Sequence, residues 1–588
     1  MVSKLRVVSS FLNEREAGAA FKVPDEIKSK EELTRQTNAV EKLVKDTIVS
    51  EFPSYKDKVY STGGFVRDRL LGRNPKDLDL VIDDPEQGMK AAEVFAKKLT
   101  QALGITTPNN PHPLKEAFGI WGVVLLNPHQ DHAESNRQAY ITDGVDVTGY
   151  VIEITPPRKE GPYDEMKRAP SRVDYTSLED DSRRRDLTIN ALYQNIVTGE
   201  VKDFVGGIQD IQNKKLKPPE HPEGIQKIYE EDPLRIMRLI RFEGKLPDFK
   251  IDPRTKETIK QFVNSPEGHK NISSRLSKER IRDELEQILV FPDSNKVIQG
   301  LNLMKELGFL KYLSPEFDKL LTVYHDKVFH KGESVWDHTM EVMSKTPPTL
   351  KARLAALFHD VGKIATKTEK VDKEGRQRVQ FIGHEKASAA LTEKIMRELT
   401  FDSKTINSVK NIVHSHMGFK DFEGQKPSTQ QRTMRIYIEK LHDDLDDAIA
   451  ILKADAKDQA GIKKVENLEA KIKKLVEEDK KNGLLIKRDK YEYVPPLSGD
   501  EIRDQYGIDK EALGAVIARL KKLMMEGRMG DPDISKRKEE AKKLIESILK
   551  DKNAFEALIK SSAEDRKSGD FFKIRNSSVR NVLSSYFG

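Results

Sequence analysis

The stretch from Gly63 to Leu80, reading Gly-Gly-Phe-Val-Arg-Asp-Arg-Leu-Leu-Gly-Arg-Asn-Pro-Lys-Asp-Leu-Asp-Leu, constrains this chain more than any other segment. Two glycines lead into a helical pattern. The turn at Gly72–Pro75 then feeds a strand expected to carry Asp77 and Asp79. Residues i and i+2 of a strand share a face, so these carboxylates are expected side by side. Adjacent carboxylates repel unless a cation neutralises them, and a hard divalent cation with oxygen ligands is the usual one. Gly63 and Gly64 let the backbone approach a ligand closely, and amides at a following helix start suit a phosphate. The combination points to chemistry on a nucleotide. A plain turn followed by a solvated Asp-x-Asp is the alternative that the stretch alone leaves open.

Composition narrows the setting. A chain of 588 residues is too long for one core, so several domains are expected. Hydrophobic residues at 37% beside charged residues at 34% describe a soluble chain with many solvated helical faces. No run approaches the roughly 18 apolar residues of a membrane helix. The start Met-Val-Ser-Lys-Leu-Arg has no signal-peptide pattern, so a cytoplasmic location without a membrane partner is expected. The chain has no cysteine, which leaves His, Asp and Glu as the side chains able to hold a metal. A net charge of +6 permits a local basic face for nucleic acid without requiring one.

Val40, Leu43, Val44 and Ile48 have the spacing of a helix preceding the glycine stretch. Leu78–Ile82, Phe118–Leu126 and Tyr150–Thr155 read as strands, Ala91–Leu103 as a helix, and segment 127–143 as a polar surface insertion. Glu153 is the single acid in an apolar strand, and a buried carboxylate needs a partner. A metal held by Asp77 and Asp79 is one such partner; a strand edge facing water is the alternative, and Asp146 competes as third ligand. In Ser177–Leu192, Arg183, Arg184, Arg185 and Asp186 are expected to precede an amphipathic helix, and guanidinium forks suit bidentate phosphate contacts; a solvated basic helix is the alternative, which fits Arg183 well and Arg184, Arg185, Asp186 and Asn190 less so. Glu231–Phe242 is expected to open a helix with acids at its positive end and Pro233 in its first turn. Asp232 and Arg235, with Arg238 on the same side, either present an acceptor and a donor fork to base edges or form an ordinary intrahelical ion pair.

Together these segments resemble the tRNA nucleotidyltransferases, more narrowly the bacterial-type (class II) CCA-adding enzymes and the bacterial poly(A) polymerases. The first family motif is matched at Gly63, Gly64, Val66, Arg67, Asp68, Leu71, Gly72, Asp77 and Asp79. The second is matched at Arg184, Arg185, Asp186, Thr188, Asn190 and Ala191, with Asp181 upstream. Glu231, Asp232 and Arg235 match a third motif, and Ser277, Glu279, Arg280 and Ile281 a fourth. The resemblance implies an α+β chain: an N-terminal helical extension (1–57), a nucleotidyltransferase palm of mixed sheet and helices (58–205), and a helical neck and body (206–334). It implies that Asp77 and Asp79 hold two Mg²⁺ ions for in-line transfer to an RNA 3′ hydroxyl, with Glu153 as the third acid and Arg158 as the arginine of the same strand motif. It further implies nucleotide-binding roles for Gly63, Gly64, Arg67, Asp68, Arg158, Asp181, Arg184, Arg185, Asp186, Asn190, Asp232, Arg235, Arg238 and Arg241. Asp232 and Arg235 would be the template that selects CTP and then ATP, and tRNA would be the acceptor.

The second half holds another constellation: His338, the adjacent His359 and Asp360 in an apolar helix, His384, His414, His416 and Asp455. Charged and imidazole groups gathered in apolar surroundings need something to neutralise them. The arrangement resembles the HD phosphohydrolase domain fused to some CCA-adding enzymes, here over 335–480 and followed by a helical tail (481–588). That resemblance implies divalent-metal ligands at His338, His359, Asp360 and Asp455, with His384 and His416 for a second ion or for phosphate, and Lys363 as a phosphate contact. Phosphatase or 2′,3′-cyclic phosphodiesterase activity on RNA ends is the implied chemistry. The tail departs from the family pattern, with Glu511-Ala512 where Gly-Pro is usual before Leu513-Gly514. The stripe at Ile462, Val465, Leu468, Ile472 and Leu475 reads as a packing helix, and the one at Ala541, Leu544, Ile545, Ile548 and Leu549, followed by a basic end, as either a packing helix or a tRNA-contacting arm. CCA addition leads; A addition, polyadenylation and a catalytically silent tRNA-binding protein stay open.

Overall fold

A computed structural model describes residues 30–105, 110–125, 140–161, 163–164, 169–326, 333–418, 422–487, 491–508, 510–529, 531 and 533–568. Most of the segment 127–143, and the ends of the N-terminal extension and of the tail, lie outside the described residues. Two compact units are present. One runs to Ile288 and includes Gln299–Tyr312; the other joins Leu289–Ile298 to everything from Leu313 on.

The first unit opens with helix α1 (Lys30–Glu51), whose Val40, Val44 and Ile48 are buried. Its centre is a mixed sheet of β1 (Val59–Thr62), β2 (Asp79–Ile82), β3 (His112–Lys115), β4 (Ile120–Val124), β5 (Val151–Thr155), β6 (Leu192–Asn195) and β7 (Val201–Asp203). The strand order is β7–β6–β1–β2–β5–β4–β3. All neighbours are antiparallel except β2 and β5, whose parallel register sets Asp79 opposite Glu153 and Leu80 opposite Ile154. Leu80, Val81, Ile82, Ile152 and Ile154 are fully buried, and helix α3 (Ala91–Ala102) packs Phe95, Ala96 and Leu99 on the sheet.

Three local expectations change. Asp77 stands two residues ahead of β2 rather than on it. Strand β1 ends at Thr62, where Gly63 takes φ +66° and turns the chain into α2 (Gly64–Leu70), so no ladder partner extends beyond the Ser61–Leu80 pair. The Leu78 N–H donates instead to the Tyr150 hydroxyl at 2.9 Å. The arginine run follows a helix instead of preceding one: α4 (Leu178–Arg183) is capped by Ser177, and a 3₁₀ turn at Thr188–Asn190 leads into β6. Glu231 closes α5 (Ile225–Glu231), and a new helix, α6 (Leu234–Lys245), starts after Pro233. The residue before a proline is driven from the helical region, and Asp232 is extended at φ −142°, ψ 95°. Helix α7 (Lys278–Leu289) carries the fourth motif.

The second unit is helical apart from short two-stranded ribbons. Its core elements are α8 (Val335–Lys345), α9 (Leu350–Phe358), α10 (Lys363–Thr366), the ribbon β8–β9 (Thr368–Val371, Gln377–Gln380), α11 (His384–Glu398), α12 (Ser403–Ser415) and α13 (Leu445–Asp455). Ser334, Thr349 and Asp402 cap α8, α9 and α12 through their side chains. The two packing stripes lie on α14 (Gln459–Lys481), which buries Leu468, Ile472 and Leu475, and α15 (Ile534–Lys550), which buries Ala541, Leu544, Ile545 and Ile548.

Candidate active sites

In the first unit the parallel register places Asp79 and Glu153 side by side on one face of the sheet, both half-buried, with Asp77 exposed just ahead. Neighbouring strands lie about 4.8 Å apart, so these acids are close enough to share a cation. Asp146 is not directed to this pair by hydrogen bonding; its carboxylate accepts from the Thr148 N–H at 2.9 Å and hydroxyl at 2.6 Å. The Gly63–Gly64 turn borders guanidiniums. A Cβ on Gly63 would lie 4.0 Å from Arg185 Nη1, and one on Gly64 3.5 Å from Arg67 Nη2.

The arginines are held by acids and carbonyls of the protein itself. Arg67 is buried, donating to Asp68 Oδ1 (2.8 Å) and Asn190 Oδ1 (2.6 Å). Asn190 donates to Asp186 (3.1 Å), whose other oxygen meets Arg238 Nη2 at 2.9 Å. Asp181 is a buried hub: it accepts from Arg184 Nη2 (2.5 Å), Arg185 Nη2 (3.0 Å), the Arg158 N–H (3.0 Å) and the Tyr193 hydroxyl (2.5 Å). Burial alone would raise its pKa, but the two guanidiniums override this and hold the carboxyl well below its usual range. The Arg158 guanidinium reaches Thr155 Oγ1 at 3.0 Å and lies over Phe118.

Asp232 and Arg235 do not pair with each other through their side chains. Asp232 accepts from Arg280 at 2.8 Å. The buried Arg235 donates to the carbonyls of Ile228 (3.0 Å) and Arg184 (2.7 Å), pinning α6 to the end of α5 and to the arginine run. Arg241 pairs with Glu284 at 2.6 Å.

The second unit gathers its ligand-type side chains at helix ends. His338 comes from within α8, His359 follows α9, His384 opens α11, His416 follows α12 and Asp455 closes α13. Asp360 is central. Its Oδ2 lies 3.2 Å from His359 Nε2 and 3.6 Å from His338 Nε2; its Oδ1 lies 3.3 Å from His384 Nε2 and 4.0 Å from His416 Nε2. His338 Nε2 is 3.0 Å from Asp455 Oδ1.

Three of the rings are set up alike. His359, His384 and His416 hold their Nδ1 atoms 2.8, 2.8 and 2.6 Å from the carbonyls of Ala356, Phe381 and Val413. Each Nδ1 therefore carries a proton and each Nε2 is the atom turned inward, the arrangement of metal-ligating imidazoles. His359 Nε2 is buried without a hydrogen bond, and the Nε2 atoms of His384 and His416 face each other at 3.2 Å. Burial pushes His416 down to about 4 and also lowers His384, so both rings are neutral near pH 7. This donor set fits divalent cations in two groups, His338–His359–Asp455 and Asp360–His384–His416.

Lys363 is buried beside Asp360 Oδ2 at 2.5 Å, and its Nζ also lies 2.9 Å from Nε2 of His325. Sequence reasoning missed His325, whose ring sits 5.2 Å from that of His338. The signal was present: His325-Asp326 repeats the His-Asp adjacency of His359-Asp360. His414 points elsewhere, its Nδ1 2.9 Å from Lys440 Nζ.

The strand-borne carboxylate pair beside the glycine turn falls within a nucleotidyltransferase head, and the histidine cluster within an HD domain. The poly A polymerase head domain model matches residues 59–114 and 121–217, the HD domain model 335–458, and the model described as "Probable RNA and SrmB- binding site of polymerase A" 248–321. The CC-adding tRNA nucleotidyltransferase of Thermus thermophilus is 28% identical over 82% of this chain and 93% of its own length. The multifunctional CCA protein of Dechloromonas aromatica is 28% identical over 58% of this chain and 69% of its own. A solved CCA-adding enzyme in complex with ATP aligns over 87% of this chain and 98% of its own, at 18% identity and TM-score 0.49. The chain belongs to the tRNA nucleotidyltransferase and poly(A) polymerase family, as a nucleotidyltransferase with a fused HD domain.

Proposed function

We propose that the chain adds CCA, from CTP and ATP, to the 3′ end of tRNA, and that its HD centre hydrolyses phosphate esters at RNA ends. The observation that carries the first activity is the in-register pairing of Asp79 with Glu153 behind the Gly63–Gly64 turn. Asp77 and Asp79, supported by Glu153, would hold Mg²⁺, which supplies activation of the 3′ hydroxyl and neutralisation of the triphosphate when bound. The protein's own part is positioning. The glycine turn admits the triphosphate close to the backbone, and the Asp181 hub fixes Arg184 and Arg185 beside it. Asp232, with its pairing to Arg280, and Arg235 stand as the base-reading residues; Arg235 must release two carbonyls to do so. In the HD centre, His338, His359, Asp360, His384, His416 and Asp455 would hold divalent cations, which supply a water nucleophile near neutral pH. Lys363 stands next to Asp360 to take a phosphate oxygen.

The named Thermus relative supports a second reading, CC addition alone. One assay separates these: tRNA lacking CCA, tRNA ending in CC and an unrelated RNA, each with CTP, ATP or both, and Mg²⁺. C then A on tRNA alone is the expected result. C addition with no extension of the CC form means CC addition, A on the CC form alone means A addition, and long A tails on any RNA mean polyadenylation. Asp77→Ala is expected to abolish transfer and spare HD hydrolysis, and His359→Ala the reverse. A folded Asp77→Ala protein that still transfers nucleotides would overturn the assignment.

A further inference from the structure

Between α10 and α11 the chain leaves the HD centre, makes the β8–β9 ribbon and returns. Lys363 opens the helix leading out and His384 opens the helix after the return. The four residues of β8 are all exposed, and Val371 and Ile382 are 68% and 76% exposed. An unpacked ribbon would ordinarily fray, yet this one is held at both ends. At its tip the Asp372 carboxylate accepts the N–H groups of Glu374 (3.0 Å) and Arg376 (2.9 Å), and Gly375 takes the φ of +78° that the turn requires. At its root the buried Asp326 accepts from Arg378 Nε and the Val379 N–H, both at 2.9 Å. Phe381, the residue after β9, lies under the Lys363 ammonium (5.4 Å to the ring centroid) and against His325 (5.9 Å).

The ribbon is thus an arm fixed at its tip and root, with its root against Lys363 and His325 beside the HD centre. Its charge balance is basic: residues 367–380 hold Lys367, Lys370, Lys373, Arg376 and Arg378 against Glu369, Asp372 and Glu374. Lys367, Arg376 and Arg378 are engaged by acids, whereas Lys370 and Lys373 have no carboxylate partner among the described residues. Free cations on an exposed arm suit the phosphates of a single-stranded nucleic acid, and Val371 between them adds an exposed apolar contact.

We propose that the β8–β9 ribbon is an RNA-guiding arm that holds the single-stranded 3′ end of an RNA as its terminal phosphate enters the HD centre. This rests on reading that centre as a phosphohydrolase. Full-length protein with Lys370→Gln and Lys373→Gln is compared with the parent on two substrates, a short RNA ending in 2′,3′-cyclic phosphate and the mononucleotide 2′,3′-cyclic AMP. Both substitutions are solvent-exposed and touch no ligand of the centre. The expected result is a fall of about tenfold in kcat/KM on the RNA, with the mononucleotide rate unchanged. The log–log salt slope on the RNA should flatten by about 1.4, the share of two phosphate contacts to a single strand. Equal rates on RNA for parent and variant would overturn the arm. Loss on both substrates alike would mean that the lysines serve the centre and not the strand. Failure of the parent on both substrates would instead strike the phosphohydrolase reading. The arm is then tested by amide hydrogen exchange of residues 367–382, where protection by the RNA in the parent, lost in the variant, supports it and no protection overturns it. Protection by an added protein but not by RNA also overturns it.

Discussion

Gly362→Ala tests whether the packing of α10 on α11 sets the HD centre. A Cβ at position 362 would lie 2.3 Å from Ser388 N, 2.6 Å from His384 O and 2.7 Å from Ala387 C. All three are backbone atoms, so no side-chain rotation relieves the overlap; the helices must part by about 1 Å to restore ordinary contact. Overpacking of this kind costs about 1–3 kcal/mol. The Gly362 N–H donates to Ser388 Oγ at 2.9 Å, and losing that bond costs about 1 kcal/mol more. Gly362 already has helical angles, φ −70° and ψ −13°, so alanine recovers about 0.4–1 kcal/mol from the unfolded chain. The net is about 1–3.6 kcal/mol, or a fall of about 2–14 °C in the unfolding midpoint of this unit. His384 would move with α11 away from His416 and Asp360, and a displacement of about 1 Å at a reacting centre costs on the order of a hundredfold in rate. Calorimetric unfolding, Mn²⁺ titration and 2′,3′-cyclic AMP hydrolysis read the effect, with nucleotide transfer as the unaffected control. A Gly362→Ala protein with parental midpoint, metal affinity and hydrolysis would refute the reasoning.

Asp181→Asn leaves Arg184 and Arg185 without their shared carboxylate and is expected to cost about 3–5 kcal/mol, measured by denaturant unfolding of the full chain. Because the folded pKa of Asp181 is depressed, its contribution is full above the unfolded value of about 3.9 and is lost as pH falls below it. The stability difference between parent and variant should therefore be constant from pH 5 to 8 and shrink in stronger acid. Gly63→Ala forces an L-residue into φ +66°, ψ −129° and should lower nucleotide transfer with little effect on HD hydrolysis; equal transfer would show that the turn is dispensable. His325→Ala removes the group 2.9 Å from the Lys363 ammonium and should raise KM for a phosphate ester about tenfold, with His325→Gln recovering part of the loss.

The sequence and the structure agree most closely where the signal is local or is carried by several motifs together. The buried run Leu78–Ile82, the helix around Val40 and Val44, and the gathering of His338, His359, Asp360, His384, His416 and Asp455 at one place were all legible. The parallel register of Asp79 with Glu153 was not, because strands joined by a long crossover carry no mark of their alignment. Nor was the partner of the arginine run. Asp181 meets Tyr193 and Arg158 only after the sheet has formed, so Arg184 and Arg185 read as ligand contacts when both are first of all neutralised within the protein; Arg183, which suits a solvated helix, pairs with Glu179. Asp77 was placed on a strand because alternation cannot see that β1 runs out at Thr62. The β8–β9 ribbon has almost no buried face, so it has no hydrophobic period to betray it.

The pairing of β2 with β5 has a consequence for how this head can vary. In a hairpin the turn length dictates which residues face each other, so inserting a residue slides the strands. Here the two acid-bearing strands are joined by a long crossover that includes α3, β3 and β4, while their alignment is fixed by the buried neighbours Leu80 and Ile154. The length of that crossover therefore does not set the alignment of the two carboxylates, which rests on the buried contacts of the strands themselves.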